Sequence, residues 1–215
     1  MENRKNTILL TVIAVATLLV AVVGATFAYF TAQGDREVQT PVNVNTAQTS
    51  NGSFVTNGSI TINANQENFY EGAGNQTKTA TATVTYTASS TAASNFCYTV
   101  GLQVTANTFE YTTEESTPEL TFTARKSANA ANLDSATTMI NQRDITTTTA
   151  STTIQVPNTA EGSDFVHQID ATQGQTINDQ WDFTVTLVNL SSDQNENTGK
   201  SFDGQIVFTH VDCGD

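Results

Sequence analysis

Basic residues are what this chain has least of. Its 215 residues include 8 Lys and Arg against 21 Asp and Glu, a formal net charge of −13. Arg4, Lys5 and Glu2 give residues 1–28 a sum of +1, so the remainder carries −14. No run of Lys and Arg offers a basic patch, and an acidic body repels a phosphate backbone. Nucleic-acid binding is therefore not expected. Charge of either sign is scarce: 13% of residues are charged, about half the usual share. Histidine and cysteine are limited to two each. His167 and His210 stand 43 residues apart with no His-Glu-x-x-His, so a zinc protease has no ligand set. No Gly-x-Ser-x-Gly elbow marks a nucleophile. The glycines of "NGSFVTNGSI" read as turns, not as a phosphate loop. These absences predict a non-catalytic protein with no metal and no cofactor.

Helix formers are also scarce beyond the first 30 residues. Thr, Ser, Asn and Gln supply the polarity instead. The branched Cβ of Thr suits strands and loses freedom in helices. In "TKTATATVTYTASS", Ala80, Ala82, Val84 and Tyr86 alternate with Thr79, Thr81, Thr83, Thr85 and Thr87. That period of two predicts a strand with one buried and one hydroxyl-covered face. In "NFCYTVGLQV", Phe96, Tyr98, Val100, Leu102 and Val104 share a face, with Cys97 on the less apolar one. "TASSTAASN" between the two reads as a hairpin loop.

The same rule predicts strands elsewhere. They lie around Val38, Val42 and Val44, where Pro41 suggests an edge, and around Ile60 and Ile62. Others fall at Leu120 and Phe122, at Ile154 and Val156, and at Phe165, Val166 and Ile169. The last two carry Trp181, Phe183, Val185 and Leu187, and Ile206 and Phe208. That makes about nine. "SANAANLDSATTMINQ", Ser127–Gln142, has no convincing helical stripe in Leu133, Met139 and Ile140, and reads as a loop with at most a turn or two of helix. Strands in series without interleaved helices predict an all-β fold: an antiparallel β-sandwich, jelly-roll or Ig-like, over residues 51–215.

One long apolar run precedes this body. Thr7–Phe30 is 24 residues without a charge. As a helix it would span roughly 36 Å, more than the hydrocarbon core of about 30 Å. Arg4 and Lys5 before it place the N-terminus in the cytoplasm and export the body. Residues 1–28 are then either a signal peptide or a membrane-spanning helix. Thr26 and Ala28 supply the small residues of a cleavage site that would leave Tyr29 first. Uncut, Phe27, Tyr29 and Phe30 would serve as interface aromatics.

The order Gly24, Ala25, Thr26, Phe27, Ala28, Tyr29, Phe30 after a basic start and an apolar run resembles the leader of the TasA and camelysin group. Those bacterial proteins are exported with a dedicated signal peptidase of the SipW type, which cuts after the Ala. Here that is Ala28. The resemblance covers about 25 residues, and Thr31–Ala32 stand where an acidic residue often follows the Phe. It implies an extracellular or cell-surface protein that polymerises into matrix fibres, the segment after the cut pairing as a strand with a neighbouring subunit. That segment is 29–50, a linker in which Val38, Thr40, Val42 and Val44 are the candidate donor strand. The same residues also suit an ordinary first strand of their own sheet. Camelysin's peptidase activity is not implied, because the zinc ligands are missing. The C-terminal stretch from Asp179 loosely resembles the closing hairpin of such proteins. If the leader is retained, the alternative is a single-pass, membrane-anchored binding or adhesion module.

Three smaller features remain. Cys97 and Cys213 are an even pair in an exported chain and would close a loop of more than a hundred residues; two reduced thiols are the other reading. "DQNENTGKSFDG" sets Asp193, Asn195 and Asn197 at alternate positions as in a calcium loop. Its glycine falls at position seven and its twelfth residue is Gly204, not the bidentate Glu that calcium needs. A hairpin turn rich in Asn and Gly explains the same residues and is the expected reading. Glu110, Glu114, Glu115 and Glu119 read as a solvated acidic loop rather than a cation site.

Overall fold

Alternation of Thr with apolar residues builds the two longest strands of one sheet, and their register sets the rest. The computed structural model describes residues 42–45 and 51–214, except 68, 71, 114–115 and 128–135. The chain divides into Met1–Val38 and Gln39–Asp215, and all described residues belong to the second unit. Thr26, Ala28, Tyr29, Val38 and Thr40, and with them the leader, lie outside the described residues.

Eleven strands are described: β1 Val42–Asn45, β2 Asn51–Asn57, β3 Ile60–Asn63, β4 Gln76–Thr87, β5 Ser94–Asn107, β6 Leu120–Ser127, β7 Thr137–Asp144, β8 Thr153–Gln155, β9 His167–Ala171, β10 Thr176–Leu187 and β11 Ser201–Val211. One sheet has the order β1-β2-β4-β10-β6-β7. The other runs β3-β11-β5-β8, with β9 sharing the β8 edge of β5. All pairings are antiparallel, and the sheets pack as a sandwich.

The inner faces follow the predicted periods. Ala80, Ala82, Val84 and Tyr86 of β4 are buried, as are Trp181, Phe183, Val185 and Leu187 of β10 and Leu120, Phe122 and Ala124 of β6. Facing them are Phe96, Tyr98, Val100, Leu102 and Val104 of β5 with Phe202 and Ile206 of β11. Large and small residues interleave within the first sheet. Phe183 stands opposite Ala80 on one side and Ala124 on the other, and Trp181 stands opposite Ala82. The alanines leave room for the rings to reach across to the second sheet. Outside, threonine hydroxyls pair across strands, Thr79 with Thr184 at 2.8 Å and Thr87 with Thr176 at 2.9 Å.

Several expectations are corrected. The 88–93 loop is no hairpin: β4 and β5 lie in different sheets, so it crosses the sandwich. For the same reason β10 and β11 form no closing hairpin. Phe165 and Val166 precede β9 and are 40% and 37% exposed, so the apolar pair packs outside the core while His167 takes the inward place. "NGSFVTN" is strand β2, not a turn. Gly52 is there because a Cβ would come within 2.5 Å of the Phe96 ring, and Phe54 fills the neighbouring inward position. "TTMINQRD" is strand β7, not loop or helix. Its pairing with β6 is irregular, so Met139 and Ile140 are buried in succession and hide the period of two.

Overpacking tests this arrangement. Ala82→Leu should force Trp181 off its seat and destabilise the body by roughly 1–3 kcal/mol, read from urea unfolding of the disulfide-intact protein. Thr83→Leu, on the half-buried outer face of the same strand, should change stability far less.

Candidate functional site

The inward pattern of β6 and β10 does not stop at the apolar residues. One step past Ala124 the next inward residue is Lys126, and one step before Trp181 it is Asp179. Lys126 pairs in register with Trp181, which puts Asp179 on the diagonal of the same face. The two charges meet: Lys126 Nζ lies 2.8 Å from Asp179 Oδ2, with side chains 18% and 5% exposed. The opposite sheet supplies Tyr98 of β5, whose hydroxyl donates to the same Oδ2 at 2.7 Å. Trp181 Nε1–H donates to the Tyr98 oxygen at 3.1 Å. Lys126 Nζ sits 5.6 Å and 5.9 Å from the Trp181 and Tyr98 ring centres, within cation–π range.

His167 of β9 closes the cluster. Its ring stacks on Tyr98 at 5.3 Å and meets Trp181 edge-on at 4.8 Å. Its Nε2 is 3.0 Å from the Val156 carbonyl, which can only accept, so that nitrogen carries the proton. Burial lowers the His167 pKa to about 4; the Val156 bond opposes this, Lys126 adds to it, and Asp179 and Asp164 oppose it more weakly. Burial, with the Asp179 charge and hydrogen bond added, raises the Tyr98 pKa well above its ordinary value, so the phenol keeps its proton.

The disulfide borders this end. Cys97 and Cys213 are bridged with Cα atoms 5.2 Å apart, closing a separation of 116 residues. The bridge fastens the end of β11 to β5 just beyond the Val211–Cys97 register position. In the chain-entropy picture such a loop contributes up to about 4–5 kcal/mol. A shallow depression of about 490 Å³ opens over the cluster, lined by Lys126, His167, Asn158, Asp164, Gln168 and the bridge region at Cys97 and Gly214 among others. Its wall is a fixed loop: Asn158 Nδ2 donates to Asp164 Oδ2 at 2.7 Å, and Val166 N–H donates to Asp164 Oδ1 at 3.1 Å.

The acidic-loop and calcium-loop residues meet at the other end of β6. Glu119 is fully buried, not solvated. Its Oε1 accepts from the Thr112 N–H and hydroxyl at 2.6 and 2.7 Å; its Oε2 accepts from Gln194 Nε2 and Asn197 Nδ2 at 2.6 and 2.8 Å. Asn197 is thereby turned inward as a donor. Asp193 accepts from the Asn195 N–H, and Asp203 and Gly204 are part of β11. Among the described residues, no three His, Cys, Asp or Glu side chains are grouped to hold a metal ion. Lys200 pairs with Glu110; Glu114 and Glu115 lie outside the described residues.

Of the candidate donor strand, Val42 and Val44 fall in β1. It pairs with β2 at the positions Val42–Phe54, Asn43–Ser53, Val44–Gly52 and Asn45–Asn51. Among the described residues no helix is long and apolar enough to cross a membrane. The Lys126–Asp179 pair went unread in the sequence, although continuing the period of two by one step along β6 and β10 reaches it, and Glu119 was read there as solvated.

The His167 environment predicts an acid response. The unfolded chain takes up a proton near pH 6.5 and the folded one near 4. The contribution is whole above about pH 6.5 and is lost as pH falls toward 4, by roughly 3 kcal/mol in all. His167→Gln should flatten that part of the profile, read as Tm between pH 7 and 4.5; an unchanged slope would remove His167 as its cause. Compared with protein-family models and with curated proteins, the chain matches none.

Proposed function

We propose that this chain is an exported, non-catalytic structural subunit of the bacterial surface, one that assembles by strand exchange. The observation that carries the reading is the edge strand β1. Its described residues, Val42–Asn45, pair with Asn51–Phe54 of β2, and among the described residues β2 is its one paired strand. On its other side β2 is held by β4 along all seven residues. As the edge of its sheet, β1 is joined to the described body through that one ladder. When it leaves, it exposes a firmly held edge that a neighbour's segment can fill. The segment from Tyr29 to Asn45, with Val38, Thr40, Val42 and Val44, is the donor in this reading.

Further support comes from the sequence. The Gly24–Phe30 pattern favours export with cleavage after Ala28 by a SipW-type peptidase and kinship with TasA-like fibre subunits. The finer fold in this reading is a jelly roll. The chain crosses between sheets from β2 to β3, β3 to β4, β4 to β5, β5 to β6, β7 to β8, β9 to β10 and β10 to β11. The 24-residue apolar run of Thr7–Phe30 favours a second reading, an anchored binding or adhesion module, in which that run stays as a membrane helix.

Two proteins separate these readings: one beginning at Tyr29 and one beginning at Thr46. The longer should assemble, more strongly in salt or mild acid as the repulsion of a body near −14 is screened or titrated. The shorter should remain a folded monomer by circular dichroism and light scattering. If the shorter unfolds, β1 belongs to its own sheet alone. If neither assembles at any salt or pH, the anchored module takes its place.

A further inference from the structure

A primary amine and a carboxylate in contact are the two halves of an amide. The Lys126–Asp179 pair has this arrangement, and nothing in the structural role described above uses it. We propose that Lys126 and Asp179 condense to an intramolecular isopeptide bond that welds β6 to β10.

The geometry supplies each requirement. Lys126 Nζ is 2.8 Å from Asp179 Oδ2, so the reacting groups already meet in the fold. Trp181, Tyr98 and His167, each no more than 1% exposed, wall the pair on the core side. An amine must lose a proton before it can attack, and the carboxylate that touches it is the base that takes that proton. The Tyr98 hydroxyl, 2.7 Å from Oδ2 and fixed by Trp181 Nε1–H, marks that oxygen as the one to leave.

The step balances without a co-reactant. The Lys126 ammonium gives one proton to Asp179 Oδ2. The freed lone pair attacks Asp179 Cγ and the N–C bond forms. Tyr98 gives its proton to Oδ2 as the C–O bond breaks and takes a second nitrogen proton in its place. Oδ2 departs as water carrying the first ammonium proton and the one from Tyr98, and the third ammonium proton remains on the amide nitrogen. The other carboxyl oxygen becomes the amide carbonyl. Tyr98 touches the reacting oxygen and is the catalytic residue here, as a general acid that recovers its proton.

Mass spectrometry of the full chain, reduced and denatured, tests this. It should be lighter by one water, and digestion should release a branched peptide joining Lys126 to Asp179. Lys126→Arg and Asp179→Ala should restore the full mass. Asp179→Asn should give the same branched product by losing ammonia. Tyr98→Phe should slow closure at least tenfold, since general-acid assistance contributes about 10²–10⁴-fold. The wild-type result does not depend on any variant folding. Separate unmodified Lys126 and Asp179 peptides from folded wild-type protein would overturn the proposal and leave a buried ion pair. A water loss that maps to Asp203–Gly204, where an Asp-Gly pair can cyclise, would overturn it too.

Discussion

The body depends on the register of β10 between β4 and β6, twelve residues on one side and eight on the other. That register sets Trp181 and Phe183 against alanines and so lets two large rings enter the space between the sheets. A slip of one residue would turn the rings to solvent and bring threonines inside. The same register fixes where the chain's few charges meet. Asp179 reaches Lys126 only because Trp181 pairs with Lys126. The core and the polar cluster at its end are thus one consequence of a single pairing.

The two ends of the sandwich are sealed by different chemistry. Each has a buried carboxylate. At one end Asp179 is met by an ammonium and a phenol in an aromatic shell. At the other, Glu119 is met by a backbone N–H, a hydroxyl and two side-chain amides. Those amides come from the loop before β11, so Glu119 organises the connections that carry the chain between sheets. A chain with so few charges places two of its acids where each accepts from at least two donors, in keeping with the cost of an unpaired buried charge.

Much of this was legible in the sequence, and the exceptions share a physical cause. Strict alternation located β4, β5 and β10 and their inward faces, because a half-buried strand needs that period. It failed where something else set the residues. Gly52 is required by the Phe96 ring and looked like a turn glycine. The irregular pairing of β7 places Met139 and Ile140 together and erases the period. Partnering was the larger gap. Nothing in the loops after β4 and β10 says whether the chain turns back or crosses to the other sheet, so both crossings read as hairpins. Lys126 was passed over, and Glu119 read as solvated, because a charge at the end of an apolar run looks like its boundary. The pairing of Cys97 with Cys213 was within reach because no third cysteine competes.

The central proposal is that β1, an edge strand paired with β2 alone among the described residues, exchanges between copies of a tightly registered body. Amide hydrogen exchange on the chain beginning at Tyr29, as monomer and after assembly, measures this directly. In the monomer the amides between β1 and β2 should exchange by local opening, far faster than those between β10 and β4, and assembly should protect them while leaving β10 unchanged. Protection of the β1–β2 amides equal to that of β10 in the monomer, with no change on assembly, would contradict the account.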